Sequence, residues 1–200
     1  MYGRRRVLSR TSSRMLLSLG LAAVAALVFA AGAGARTLGS LAPPGSGGCD
    51  SCEDFQATTG AGAPKYRVPK GPTGHWTITS WSSQGGGVEQ GKARLRIYRP
   101  GPGDGQFELV RQSVLETVPA DAAPVFPASL NVQKGDLLGL SVKNGVGVAY
   151  PTSLTGNLVE SVHCSSSPLV IGTLVGPGTA CPLFGISGDL MNVSAELAPR

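Results

Sequence analysis

The residues of this chain most able to do chemistry are its four cysteines, Cys49, Cys52, Cys164 and Cys181. Cys49-Asp50-Ser51-Cys52 has the C-x-x-C spacing of a redox pair or of half a zinc site. A redox pair of this kind opens a helix in a βαβ setting, and no such pattern follows Cys52. A zinc centre needs two more ligands, for which His163-Cys164 is the available source. Disulfides account for the four residues more simply in an exported chain. Four cysteines allow three pairings. The local one joins Cys49 to Cys52 and Cys164 to Cys181; its rivals tie Cys52 to Cys164 or to Cys181. No metal ion and no cofactor is expected.

Catalytic groups are sparse. There is no G-x-S-x-G elbow, no H-E-x-x-H, no P-loop and no dinucleotide-binding glycine motif. A Ser–His–Asp arrangement requires folding to bring His75 or His163 to Asp136 or Asp189. We therefore expect no catalytic residues and no enzyme activity; a secreted hydrolase is the least favoured reading. Asp50, Glu53 and Asp54 lack the spacing of a calcium loop. Asn192-Val193-Ser194 is a glycosylation sequon, read as a chance match.

Aromatic and arginine side chains are the stronger lead. Exposed Trp and Tyr rings stack on the apolar faces of sugars while their polar tips stay wet. Trp76 and Trp81 are five residues apart, so a regular strand turns them to opposite sides. Trp81, beside Ser82-Ser83-Gln84 and Gly85-Gly86-Gly87, is expected to be the exposed one. Tyr98 shares a strand face with Arg94 and Arg96, a platform for a polar or anionic ligand. Trp81, Tyr98, Arg94 and Arg96 thus form the expected ligand-binding set.

The elements that must position these residues are strands. His75–Ser82 is rich in Trp, Thr and Ile, and Leu95 and Ile97 alternate with Arg94, Arg96 and Tyr98. Pro100–Gly105 is a turn-rich loop leading into Gln106–Gln112. Phe126, Ala128, Leu130 and Val132 share a face; Lys134-Gly135-Asp136 turns the chain into Leu138, Leu140 and Val142. Asn144-Gly145 predicts a two-residue hairpin with Val146–Tyr150 returning. Met191, Val193, Ala195 and Leu197 form a closing strand. Short strands with regular turns, without interleaved helices, predict an all-β fold, an antiparallel β-sandwich of jelly-roll type.

Charge divides the chain. Residues 1–14 hold five arginines and no acid, Met15–Ala35 is uncharged, and Ala33-Gly34-Ala35 ends it with small residues. This is the order of a secretory signal peptide, with cleavage expected after Ala35; an uncleaved anchor and a twin-arginine signal are the alternatives. The expected organisation is a signal-peptide helix over 1–35, a Pro- and Gly-rich linker over 36–48 and one β-sandwich domain over 49–200. Taking five arginines from 17 basic residues leaves 12, equal to the 12 acids. The net charge of +5 therefore belongs to the leader, and no nucleic-acid partner is expected. Charged residues are 14 % of the chain, below the usual ~25 %, which excludes a charged disordered tail or coiled coil. The domain is expected outside the cell, with an extracellular glycan or a cell-envelope component as its partner. Membrane contact is expected only through an uncleaved N-terminal segment.

His75–Ser82, Ala93–Pro100, Val132–Leu140 and the ending Met191–Leu197 occur in this order and carry a resemblance. Together they are similar to a group of exported β-sandwich proteins of high-GC bacteria, over roughly Cys52 to Leu197. The resemblance implies export and fold and brings no activity or catalytic residues. Relatives in that group often continue into acidic, Asp-rich repeats, which this sequence lacks up to Arg200. The expected function is a non-catalytic module binding a ligand or surface, such as carbohydrate. The alternative is a structural or adhesive envelope module without a small ligand.

Overall fold

The structure, a computed structural model, describes residues 34–43, 49–71, 73–86, 90–146, 149–151, 155–164 and 169–200. The expected signal-peptide helix lies outside these residues. The strands are β1 (Arg36–Ser40), β2 (Cys49–Thr58), β3 (His75–Ser82), β4 (Gly91–Pro100), β5 (Phe107–Gln112), β6 (Glu116–Val118) and β7 (Val125–Gln133). They continue as β8 (Leu137–Val146), β9 (Ala149–Pro151), β10 (Leu158–Val162), β11 (Leu174–Val175), β12 (Leu183–Ser187), β13 (Asp189–Met191) and β14 (Val193–Pro199). Among the described residues there is no helix.

The first sheet has the order β1-β14-β3-β7, and the second β11-β5-β4-β8-β2-β10-β12, with β6 beside β4. All of these pairings are antiparallel. The chain passes repeatedly between sheets, so that β14 closes between β1 and β3 while β8 closes between β2 and β4. That nesting is the two-Greek-key order of a jelly roll. Alternation places one side of each strand between the sheets: Trp76 and Ile78 from β3, Leu95 and Ile97 from β4, Leu138 and Leu140 from β8, Val193 and Ala195 from β14. Phe126 and Val132 are buried there as well, with Ala128 and Leu130 packed against them.

Two local expectations change. Arg36–Ser40 is not linker but β1, paired residue for residue with Leu197–Val193. Its partner strand lies far along the chain, so the five-residue segment, with Leu38 its one large apolar side chain, gives little local signal of pairing. Of the rest of the expected linker, Leu41, Ala42 and Pro43 follow β1 without regular structure, and residues 44–48 lie outside the described residues. Asn144-Gly145 does not make a hairpin either: β8 runs through it to Val146. Asn144 takes φ +58, and the β2–β8 register shifts there, from Ser51↔Lys143 to Cys49↔Val146. The dipeptide's left-handed preference is used for an irregularity inside a strand.

A second bulge decides the fate of the tryptophans. On β14, Leu197 faces Ile78 and Glu196 faces Ser80, leaving Thr79 as an extra residue in β3. One extra residue reverses the alternation, so Trp76 and Trp81 point the same way and are both 1 % exposed. Trp81 packs on Phe126 with ring centroids 4.8 Å apart. The expectation that Trp81 is exposed is therefore corrected: it is core.

Cys164 and Cys181 form a disulfide, with Cα atoms 4.0 Å apart. This excludes the pairings that tie Cys52 to either of them. Cys52 is itself disulfide-bonded, and the side chain of Cys49 lies outside the described residues. The segment tied by Cys164–Cys181 lays Leu169 and Val175 over Phe55, Tyr98, Leu109 and Leu137, on the outer side of the second sheet. A loop of this length gains about 3 kcal/mol in the chain-entropy picture.

Buried polar groups join the sheets. Asn192 is fully buried; its Oδ1 accepts from the amides of Ala42 and Gln84, and its Nδ2 donates to the Gln84 carbonyl. A side chain so placed is no glycan acceptor in the folded chain, although it sits in a sequon. Gln56 accepts from the Met191 amide and donates to the Thr58 and Leu158 carbonyls. Asp54, 2 % exposed, accepts a 2.6 Å hydrogen bond from the Ser161 hydroxyl. Burial pushes its carboxyl above the usual carboxylate range, against the pull of that bond and of His163. Folding thus favours the protonated form, so this group's contribution is fully present below the unfolded-state carboxyl pKa and is lost as pH rises through the higher folded value. Asp54→Asn keeps the acceptor for Ser161 and removes the titration. Urea unfolding is expected to show the variant gaining on the parent between pH 4 and pH 7; a pH-independent difference contradicts this.

Candidate functional site

The expected platform exists but is covered. Arg94, Arg96 and Tyr98 do share the outer face of β4, opposite Leu95 and Ile97. Tyr98 is fully buried there, stacked on Phe55 at 4.5 Å and 26°. The fit is close: a Cβ at Gly139 stands 2.8 Å from the Tyr98 ring and 2.9 Å from Phe55 Cβ. Burial raises the Tyr98 phenol well above its ordinary range, so it stays un-ionised. Tyr98 is thus part of a second core, and its expected role as an exposed ring is corrected alongside that of Trp81.

Arg96 is 3 % exposed and serves the same cover. Its Nε lies 2.9 Å from Glu53 Oε2, one terminal nitrogen donates to Glu53 Oε1 at 3.0 Å, and the other to the Leu169 carbonyl at 3.0 Å. Ser141 adds a 2.7 Å hydrogen bond to Glu53 Oε1. Burial still holds the Glu53 carboxyl above its usual range, with Arg96, Ser141 and Arg94 opposing. Arg94 is the partly buried, outermost member of the set. The guanidinium expected to meet a ligand therefore fastens the disulfide-tied segment to the sheet.

Asp136 and His163 are engaged in other contacts. Asp136, fully buried, takes both guanidinium bonds of Arg99 at 2.8 and 2.9 Å and a third from the Gln133 amide. Ser161 gives its hydroxyl to Asp54, while His163 packs edge-on to Phe184. His75 begins β3. Among the described residues no cluster of three or more His, Cys, Asp or Glu is placed to hold a metal.

What the fold does assemble is a basic cleft. β1, the 65–70 segment and the β7–β8 turn enclose about 680 Å³, with Arg36, Lys65, Arg67, Lys70 and Lys134 on its walls and Leu38, Val68 and Pro69 among its apolar residues. Backbone bonds build these walls. The Gly39 amide donates to Lys65 O at 2.7 Å, the Gly135 amide to Val68 O at 2.9 Å, and the Val68 amide to Asp136 O at 2.8 Å. Gly135 takes φ +93 in the turn, a conformation that favours glycine. Tyr66 roots the segment: its phenol donates to Met191 O at 2.6 Å and lies 2.7 Å from Ser40 Oγ. Burial raises this phenol too, keeping it a donor. The main chain holds the walls, and the five cationic residues along them are exposed.

Among the described residues none of the five is in an ion pair; the ion pairs there are Arg96–Glu53 and Arg99–Asp136. Glu196, opposite Thr37, accepts that residue's hydroxyl at 2.7 Å. Arg36 lies 5.7 Å over the Trp76 ring, whose indole donates to the Pro69 carbonyl. Arg67 reaches the Gly135 carbonyl at 3.4 Å. Five of the 12 basic residues after residue 35 meet here. The alternation in Lys65-Tyr66-Arg67-Val68, cations out and apolar groups in, is the signal that marks this wall in the sequence.

The Arg96–Glu53 pair yields a stability test. Arg96→Met leaves Glu53 partly buried without its partner and is expected to cost about 3 kcal/mol, part of it returned by Glu53→Gln in the same chain. Urea midpoints of the two single variants and the double variant measure this; an additive double variant contradicts the coupling. Comparison of the chain with protein-family models, with curated proteins and with solved structures finds no match.

Proposed function

We propose that this chain is an exported, non-catalytic jelly-roll module that binds an anionic ligand or surface through the basic cleft. The observation that carries the reading is the convergence of Arg36, Lys65, Arg67, Lys70 and Lys134 on one concavity. Bringing five cations together costs electrostatic energy that an anionic ligand offsets. Their long side chains keep the stems against the protein and the charges free. The size of the cleft falls within the range of small-ligand sites.

Export is supported by the arginine-rich leader with its apolar run, and the Cys164–Cys181 disulfide is compatible with an oxidising compartment. Cleavage after Ala35 makes Arg36 the first residue, directly at the start of β1 and at the cleft wall. The version in which neutral sugars stack on Trp81 and Tyr98 loses its platform, because both rings are core. The ligand is instead engaged by charge.

The test is retention of the folded protein on immobilised dextran sulfate at about 150 mM salt. The parent is expected to be retained and to pass through unmodified dextran. Arg67→Glu with Lys70→Glu is expected to abolish retention. Retention of that double variant equal to the parent's overturns the assignment of the cleft.

A further inference from the structure

We infer that the cleft takes a strand of acidic polysaccharide, a sugar chain carrying repeated carboxylate or sulfate groups. This rests on reading the cleft as the binding site and specifies the ligand. Five cations, contributed by β1, the 65–70 segment and the β7–β8 turn, exceed what one carboxylate or phosphate neutralises. They are also spread over three segments, so the matching ligand carries several anionic groups at intervals. Arg36 and Arg67 offer planar forks suited to two-oxygen anions, while Lys65, Lys70 and Lys134 act as point charges tolerant of spacing.

The uncharged lining favours a sugar over the other common polyanions. No aromatic ring is among the cleft's lining residues: Leu38 and Val68 are buried at its floor, and Pro69 is partly exposed. Single-stranded nucleic acid is held by stacking its bases on exposed aromatic rings. Trp76, the ring beside this cleft, is 1 % exposed and lies under Arg36. An anionic membrane is held by charge together with inserted apolar groups. The large exposed apolar residues, among them Val125, Val170, Ile171 and Phe184, are absent from the cleft lining.

The molecule supplies its own control. Lys92 and Lys143 face each other across β4 and β8, away from the cleft, and both are exposed. Lys92→Glu with Lys143→Glu changes the net charge by the same amount as Arg67→Glu with Lys70→Glu. The experiment titrates the folded protein with polygalacturonate, dextran sulfate, neutral dextran and oligothymidylate at about 150 mM salt, with near-ultraviolet circular dichroism confirming each variant's fold. Polygalacturonate or dextran sulfate, or both, are expected to bind, and the two arms separate carboxylate from sulfate recognition. Neutral dextran is expected not to bind, and oligothymidylate to bind at least tenfold more weakly. The cleft variant is expected to lose about tenfold or more in affinity, and the Lys92/Lys143 variant less than about threefold. Oligothymidylate binding as tightly as either acidic polymer overturns the ligand class while leaving the cleft as the site. Equal losses in the two variants show that net charge alone is at work and overturn the cleft reading itself. Binding of neither acidic polymer overturns the inference.

Discussion

The second sheet carries apolar side chains on both faces and must therefore be covered twice. One face meets the first sheet through Leu95, Ile97, Leu138 and Leu140. The other presents Phe55, Tyr98, Leu109 and Leu137, which the segment tied by Cys164–Cys181 closes off. An antiparallel sheet ordinarily leaves one face to water. Burying a large side chain contributes roughly 2 kcal/mol, so an uncovered cluster of this kind forfeits several such contributions. The segment over it is short in regular structure, with β11 only two residues long, and the disulfide and Arg96 add to the main-chain bonds to β5 that position it. Cys164–Cys181, the Arg96–Glu53 pair and the Phe55–Tyr98 stack are parts of one device.

That device reassigns the side chains that look functional. Tyr98 becomes core and Arg96 becomes a fastening, while Arg99 is taken by the buried carboxylate of Asp136. Five of the ten remaining cations after residue 35 gather elsewhere in the fold. Arg36, Lys65, Arg67, Lys70 and Lys134 border the cleft where the chain enters the first sheet and where it crosses between sheets. A balanced charge count after residue 35 hides this concentration, because the count is blind to position.

The strand pattern was legible because it is local. Leu95 with Ile97, and Leu138 with Leu140 and Val142, alternate at period two and are buried as that period requires. The all-β class follows from many such strands, with no helix among the described residues. Parity was less legible. One inserted residue at Thr79 turns Trp81 inward, and an irregularity at Asn144-Gly145 carries β8 straight on where a hairpin is the commoner use. β1 was hidden for a different reason: its hydrogen bonds go to β14, at the far end of the chain. The face shared by Arg94, Arg96 and Tyr98 is legible in the alternation of β4, but nothing local announces that a segment seventy residues later lies on it. The cleft was only partly legible. Lys65 and Arg67 alternate with Tyr66 and Val68, whereas Arg36 and Lys134 join them only through tertiary structure.

The central claim is that these cations act together at one place. The five lysines of the chain divide into three at the cleft, Lys65, Lys70 and Lys134, and two elsewhere, Lys92 and Lys143. Mass-spectrometric lysine acetylation footprinting, with and without saturating polygalacturonate, reads all five in one experiment. The account predicts slowed modification of Lys65, Lys70 and Lys134 and unchanged modification of Lys92 and Lys143. Uniform protection of the five, or protection confined to Lys92 and Lys143, contradicts it.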